Sequence, residues 1–440
     1  MSHKRIFRGI SGNIVVQLIS IVFQLLGVPI LLKYWGIHYY GEWIILITIP
    51  SYIAISDMGL GTSTTSELSM LIETGRREES RDILKNVFWF ILIFGSIPFI
   101  LMMCSLFIIP WYDILGLKEI QIVEFNLTFL ILILYIYLNL FLTLPLGYYR
   151  AVKIYHRERY ISAIFRATEF TTMLIIVLLG HGVLAVAIGY FLNRILNLVF
   201  VLYDLHQRHE DFRLFPFGFK FSRIKHLLKP ALSTLVIYLG QNLMVQGITT
   251  LIGIRLGSLE VVIFNTTRTL ASFVKNLVGI VNLTYVSEFS YAYGKSNIKE
   301  LLYHFLNAQR INLLISFSAL LGLYFMGGFI MTIWTGGRVS IIEPFFTFLL
   351  IGVFLNNIWN LGMSLLIAIN KQSNIGGVFL ILSLVSLTII YVGIDTYQLS
   401  IVALSIILFE TGMLIWIYRY CMNLLDLNFN QLFILRLKNN

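Results

Sequence analysis

Long apolar runs separated by short polar segments make up almost the whole chain. A transmembrane helix needs roughly 20 predominantly apolar residues. Runs of that length lie at about 10–32, 43–65, 87–109, 125–147, 161–180, 183–203, 231–256, 261–286, 308–333, 344–368, 375–394 and 399–420. The expected fold class is therefore an all-α integral membrane protein with about 12 transmembrane helices in two six-helix halves. The start, MSHKRIFRGISGN, is basic, but the apolar segment after it is of full spanning length and has no small-residue cleavage site. It is read as the first membrane helix rather than a signal peptide.

Composition agrees. The 440 residues are 58% hydrophobic and 12% charged, with a mean hydropathy of +0.83. Soluble domains carry about a quarter charged residues, so a single soluble core does not account for this balance. The net charge of +10 could suggest nucleic acid, but its distribution excludes that reading. Sorted by alternating connections, 23 of the 32 basic residues fall on one side, three (Lys33, Lys118 and Arg338) on the other, and six within helices. The excess of Lys and Arg in inner loops places both termini in the cytoplasm. The outer connections are too short for an external catalytic domain. The longest inner connection, about 204–230, is basic, and Ser222 can cap a short amphipathic helix there. Three parts follow: an N-terminal six-helix bundle (1–204), a cytoplasmic basic linker (205–230), and a C-terminal six-helix bundle with a short tail (231–440). Aligning Gly36 with Gly257 pairs the first outer turn of each half, a parallel repeat with a substrate site between the halves. Cys104 and Cys421 make no disulfide framework.

Polar residues inside the apolar runs carry the candidate chemistry. On the first helix Asn13, Gln17 and Gln24 lie within roughly 40° of one another. The seventh helix carries a broader stripe, Thr234, Tyr238, Gln241, Asn242 and Gln246. Such residues serve either interhelical hydrogen bonds or a hydrated cavity. On the eighth helix Asn265, Thr269, Ser272 and Asn276 share a face. Arg268 and Lys275 flank it, seven residues apart and nearly superposed, with no acid between them. Intramembrane cations are read by default as facing a water-filled interior. Arg194 sits central in the sixth helix, either as an anion contact or as the partner of Glu410 or Asp57. Arg166 can pair with Glu169, three residues on. Asp57 and Glu410 are candidates for carrying a coupling proton or for ion pairing. Neither a Walker GxxxxGK[ST] loop nor a third ligand beside His206 and His209 occurs, so no cofactor or metal is expected.

The segment GVPILLKYWGIHYYGEWIILITIPSYIAISDMGLGTSTTSELS resembles the second-helix region of bacterial polysaccharide exporters, with its YGEW-like turn and SDMGLG run. PLGYYRAVKIYHRERYISA resembles the inner loop after their fourth helix. The resemblance implies an O-antigen repeat-unit (polysaccharide) flippase of the multidrug/oligosaccharidyl-lipid/polysaccharide exporter superfamily. Such a protein moves undecaprenyl-pyrophosphate-linked oligosaccharide from the inner to the outer leaflet of the bacterial cytoplasmic (inner) membrane, for lipopolysaccharide O-antigen and related glycans. It is multi-pass, contacts bilayer lipids, and works with polymerase and glycosyltransferases of the same pathway. Within that reading Arg194, Arg268 and Lys275 form a cationic central cavity for the pyrophosphate. Asn13, Gln17, Gln24, Tyr238, Gln241, Asn265 and Asn276 receive sugar hydroxyls, and alternating access moves the cargo. The alternatives are a cation-coupled drug or small-molecule exporter of the same superfamily, or a polytopic polymerase or glycosyltransferase. The first should favour acidic residues in the interior, where cations hold a small excess here. The second needs a sizeable outer loop or a surface acidic pair.

Overall fold

The computed structural model describes residues 3–57, 59–209, 212, 218–369, 371 and 375–425, with side chains for all of these except 3–18, 54–57, 62, 229, 230, 233 and 425. Helix accounts for 89% of the described residues, and no strand occurs among them. The helices are α1 (His3–Thr48), α2 (Leu60–Glu73), α3 (Arg77–Ile108), the short α4 (Trp111–Ile114), α5 (Ile122–Ala151), α6 (Tyr155–Leu178) and α7 (Val183–Arg208). They continue with α8 (Lys225–Asn242), α9 (Ile248–Arg255), α10 (Ser258–Gly294), α11 (Ile298–Thr335), α12 (Phe345–Ala368) and α13 (Ile375–Leu425). Ten candidate membrane spans are long and apolar enough to cross a bilayer among the described residues. This is a multi-pass membrane protein.

Two of the longest helices reverse direction without a loop. The first limb of α1 follows α6: Arg166 donates to Ser20 Oγ, Phe23 stacks on Phe170 with centroids 4.0 Å apart, and Gly27 lies against Phe170 and Met173. Beyond Gly36 the contacts pass to α7, from Tyr39 at Val183 to Trp43 at Tyr190. Helices α6 and α7 are themselves antiparallel, since Phe165 meets Phe200, Thr168 meets Asn193 and Met173 meets Tyr190. The chain therefore turns back at Gly36, whose φ of 76° and ψ of 174° suit a residue without Cβ. Helix α13 folds on itself around Gln398 (φ 50°): Gly393 lies against Ile401, Ser386 against Ser405 and Gly412 against Leu382. Ser386 and Ser405 each donate to the other's carbonyl, at 3.1 and 2.9 Å, a two-way clasp in a region where water supplies no partner.

The stretch expected as one helix, 43–65, is instead three pieces. The second limb of α1 ends at Thr48, a 3₁₀ segment runs Pro50–Asp57, and α2 begins at Leu60. Pro50 lacks the N–H a continuing helix needs. Gly59 (φ 67°) starts α2 where a Cβ would stand 2.7 Å from the Ala231 carbonyl oxygen.

The chain forms two compact units, Met1–Leu239 with Gly257–Val262, and Gly240–Leu256 with Ile263–Asn440. In the first, one nine-residue stretch, 35–43, clamps several turns. Trp35 Nε1 donates to the His181 carbonyl (3.0 Å), and Tyr39 OH donates to Glu124 (2.9 Å) while accepting from the Val183 N–H (3.0 Å). The buried Glu42 carboxylate accepts the N–H groups of Lys118, Glu119 and Ile120 at 2.6, 2.9 and 2.9 Å. At the basic end of this unit Asp204 accepts from Arg157 (2.9 and 2.5 Å), Tyr149 OH (2.5 Å) and Arg208 (3.0 Å), joining α5, α6 and α7. The second unit has a core of aromatic and aliphatic side chains including Phe289, Phe305, Phe379, Phe409 and Tyr418. A polar chain crosses its helices: Asn312 donates to Asn282 (2.6 Å) and Asn282 to Asn360 (3.2 Å).

Glu42→Ala strips three buried N–H groups of a charged acceptor and is expected to destabilise the protein by about 3 kcal/mol. Gly41→Ala places a Cβ 2.2 Å from the Ser258 carbonyl oxygen and is expected to cost about 1–3 kcal/mol as an overpacked contact. Thermal unfolding in detergent checks both; midpoints equal to wild type would show that the clamp does not hold this end together.

Candidate functional site

Each unit holds an intramembrane cation, and each cation has partners from its own unit. In the first unit the central residue is Arg194 on α7. Its Nη2 lies 3.1 Å from Glu169 Oε1 on α6 and donates to Tyr135 OH on α5 at 2.6 Å, and its Nη1 donates to Asn139 at 3.0 Å. Tyr135 OH in turn donates to Glu169 Oε1 (2.5 Å), and the guanidinium stands 4.8 Å from the Tyr135 ring centroid. Among the described side chains the partner of Arg194 is Glu169, and Glu410 is paired with Lys275; the Asp57 side chain lies outside them. Glu169, expected to pair with Arg166, is turned toward α7, while Arg166 reaches Ser20. A helical wheel places Arg166 and Glu169 on one face, but Tyr135 and Arg194 approach the carboxylate from two other helices. One donor is left over: Arg194 Nε is buried without a hydrogen-bond partner among the described residues.

In the second unit Lys275 Nζ on α10 stands 3.7 Å from Glu410 Oε1 on the second limb of α13. That is ion-pair range, longer than a hydrogen bond. The buried Glu410 carboxylate takes its close donors elsewhere, from Trp359 Nε1 (2.6 Å) and Asn356 Nδ2 (3.0 and 3.2 Å) on α12. Lys275 keeps a third of its side chain exposed. Arg268, one face with it and about 10 Å along the helix, donates to Asn265 Oδ1 (2.6 Å) and to the Val245 carbonyl (3.3 Å), and lies 4.9 Å from the Phe264 ring centroid. Val245 belongs to a π turn, Leu243–Gly247, set between α8 and α9. A π turn disrupts the i→i−4 ladder and is frequent at functional sites. Here Arg268 and Thr249 Oγ1 (2.8 Å) both donate to its Val245 carbonyl. The arrangement can present cationic donors to an anion: Arg194 and Lys275 each face a carboxylate, and Arg268 is held by the neutral acceptors Asn265 and Val245.

Comparison with known proteins follows from this fold. The family model described as "Polysaccharide biosynthesis protein" matches residues 45–338. The chain belongs to that family. As a polysaccharide biosynthesis family member it also has the fold of solved transporters. It is similar to an inward-facing multidrug resistance MATE family transporter of the MOP superfamily, with 16% identity, TM-score 0.70, and 94% of this chain and 98% of that chain covered. An outward-facing transporter of the same description is 17% identical, with TM-score 0.63 and 97% of each chain covered. A MATE protein in its bent conformation is 16% identical, with TM-score 0.62, 96% of this chain and 93% of that chain covered. No curated protein matches the chain.

The other residues singled out in this polysaccharide biosynthesis protein are placed as follows. Gln24, Tyr238 and Gln241 are exposed, and Asn265 and Asn276 are half-buried. The side chains of Asn13, Gln17 and Asp57 lie outside the described residues. Glu169, Tyr135, Asn139, Asn356 and Trp359 complete the two charge clusters; of these only Glu169 was singled out from sequence, as a partner for Arg166. Tyr135 and Asn139 carried a signal, being polar residues four apart, on one face of an otherwise apolar helix.

Removing one partner of a buried ion pair strands the other charge and costs about 3–5 kcal/mol, whereas replacing both with apolar residues of similar volume is close to neutral. Arg194→Met is therefore expected to lower the unfolding midpoint more than the Arg194→Met/Glu169→Leu double variant. A double-mutant cycle in detergent measures this; additive losses would show that the two charges are not coupled.

Proposed function

We propose that this protein is a flippase for lipid-linked oligosaccharide. The supporting observation is a conjunction: the family is one of polysaccharide biosynthesis, and the fold is one otherwise seen in MATE transporters. Polysaccharide pathways assemble repeat units on a lipid at the inner face of the membrane and use them outside. A transporter fold in such a family supports the translocation step. The cargo on this reading is an undecaprenyl-pyrophosphate-linked, O-antigen-type repeat unit, moved from inner to outer leaflet of the bacterial cytoplasmic membrane. Polymerase and glycosyltransferases act before and after it.

Counting each limb of α1 and α13 separately, and joining the second limb of α1 to the 3₁₀ segment and α2, supports a reading of twelve crossings. The charge asymmetry of the connections supports both termini in the cytoplasm. The N-terminal bundle (1–204), basic linker (205–230) and C-terminal bundle (231–440) are retained as the working units.

Arg194, Arg268 and Lys275 are the groups assigned to the pyrophosphate. A guanidinium offers a fork of N–H donors to phosphate oxygens, and an ammonium acts as a point charge. Asn265, Asn276, Tyr238, Gln241, Gln24, Asn13 and Gln17 are assigned to sugar hydroxyls. Glu410 and Asp57 are assigned either to coupling or to charge balance. Solved transporters of this fold are described in inward-facing and outward-facing conformations, which supports alternating access as the mode of translocation.

Deleting the gene from its source bacterium and complementing with variants tests the reading. Surface glycan should be lost, lipid-linked repeat units should accumulate, and wild type but not Arg268→Ala or Lys275→Ala should restore export, with each variant present in the membrane at wild-type level. Unchanged glycan in a strain without a redundant flippase would overturn the assignment.

A further inference from the structure

The segment that leads into α8 is strapped along the basic end of α3. Phe219 and Phe221 each set their rings 6.5 Å from that of Phe90. The Lys220 N–H donates to Asn86 Oδ1 (2.5 Å), and Arg223 Nε lies 3.4 Å from Asp82. Gly218, at the start of the strap, lies against Lys85, so that a Cβ there would stand 2.7 Å from the Lys85 Nζ. These contacts fix the depth of the strap. The apolar run of α3 begins at about residue 87. The two phenylalanines therefore meet α3 about one turn inside the apolar zone, while Lys220 and Arg223 meet it at the edge and beyond, where Lys85 also stands. Aromatic rings at the boundary with basic residues just outside it are the arrangement of a membrane–water interface.

The strap has two faces. Ile224 and Leu227 are buried, whereas Lys220, Phe221, Arg223 and Lys225 are exposed. Two acids from neighbouring helices meet it, and both are engaged: Asp82 on α3 takes Arg223, and Glu67 on α2 lies 3.5 Å from His226 Nε2. The ammonium groups of Lys85, Lys220 and Lys225 have neither an ion pair nor a side-chain hydrogen bond among the described residues. Lys225 opens α8, whose first turn holds no acid, although the positive end of a helix dipole favours one there. Three cations without counter-charge thus surround an exposed aromatic ring at the edge of the apolar zone.

We propose that this strap binds anionic phospholipid, with Lys85, Lys220 and Lys225 on the headgroup phosphates and Phe221 entering the acyl boundary beside Phe90. Basic clusters immediately outside a membrane helix attract an anionic lipid surface, and aromatic rings anchor at headgroup level. A free phosphate would engage the lysines but gains nothing from an exposed phenylalanine, so the pairing of the two selects a lipid. The site lies wholly in the first unit and does not depend on the flippase reading.

Full-length protein is placed in phosphatidylcholine nanodiscs with a rising fraction of phosphatidylglycerol, and the unfolding midpoint is followed. A saturable rise is expected. Each Lys→Gln change in the strap site should weaken binding about fivefold, so Lys85→Gln/Lys220→Gln/Lys225→Gln should lose the rise. That variant should keep the wild-type midpoint in pure phosphatidylcholine, because none of the three ammonium groups holds a partner that the change would strand. Lys295→Gln/Lys299→Gln/Lys371→Gln removes the same charge from the second unit and should still show the full rise. A flat response in wild type, a full rise in the strap variant, or an equal loss in the second-unit variant overturns the proposal. So does a rise with inorganic phosphate, at constant ionic strength, that matches the one with phosphatidylglycerol.

Discussion

A charge carried into hydrocarbon must be neutralised by whatever its own fold can bring beside it, and the interior of this protein is organised around that requirement. Arg194 is met by Glu169, Tyr135 and Asn139, so α5, α6 and α7 are tied at mid-membrane. Glu410 is met by Lys275, Asn356 and Trp359, which ties α10, α12 and the second limb of α13. Lipid tails are as apolar as leucine, so association of these helices gains little from burying apolar surface. Hydrogen bonds and close packing do the work instead. Gly240 is one such close approach: a Cβ there would lie 2.5 Å from the Phe379 ring, and Ser383 donates to its carbonyl at 3.2 Å.

The apolar runs were legible in the sequence because spanning length is a strong constraint; the path between them was not. The reversals at Gly36 and Gln398 fall in the gaps read between 10–32 and 43–65 and between 375–394 and 399–420, but hydropathy did not show that one residue makes each of them without a loop. Nor did it reveal the break between Pro50 and Gly59, where residues remain apolar although the helix stops. Charge partners were misjudged for a related reason. Depth along a helix suggested Glu410 as one partner for Arg194, but neighbourhood is decided by which helices pack together, and Glu169 on α6 is the carboxylate beside it.

The two stretches that carried the family resemblance turn out to be scaffold. The YGEW-like turn supplies Tyr39, Glu42 and Trp43 to the clamp on the 118–120 and 181–183 turns. PLGYYRAVKIYHRERYISA supplies Tyr149 and Arg157, which hold Asp204. Such motifs report how a bundle is fastened, not what it carries. That separates the inference of family and fold from the inference of cargo, which rests on the charged clusters.

The polarity of those clusters has a consequence of its own. Arg194 stands eleven residues beyond Val183, the start of α7, and Glu410 eleven beyond Leu399, the first residue after the break in α13, yet they carry opposite signs. Each already holds a counter-charge, Glu169 for Arg194 and Lys275 for Glu410. Under the function proposed above, a phosphate arriving at Arg194 or Lys275 competes with a resident carboxylate, and whatever it displaces must find a proton, a cation or another donor. Loading on these terms is ion exchange rather than adsorption. Its selectivity is set by the difference between two partners for one cation, and the displaced carboxylate is left ready to reclaim that cation once the cargo has gone.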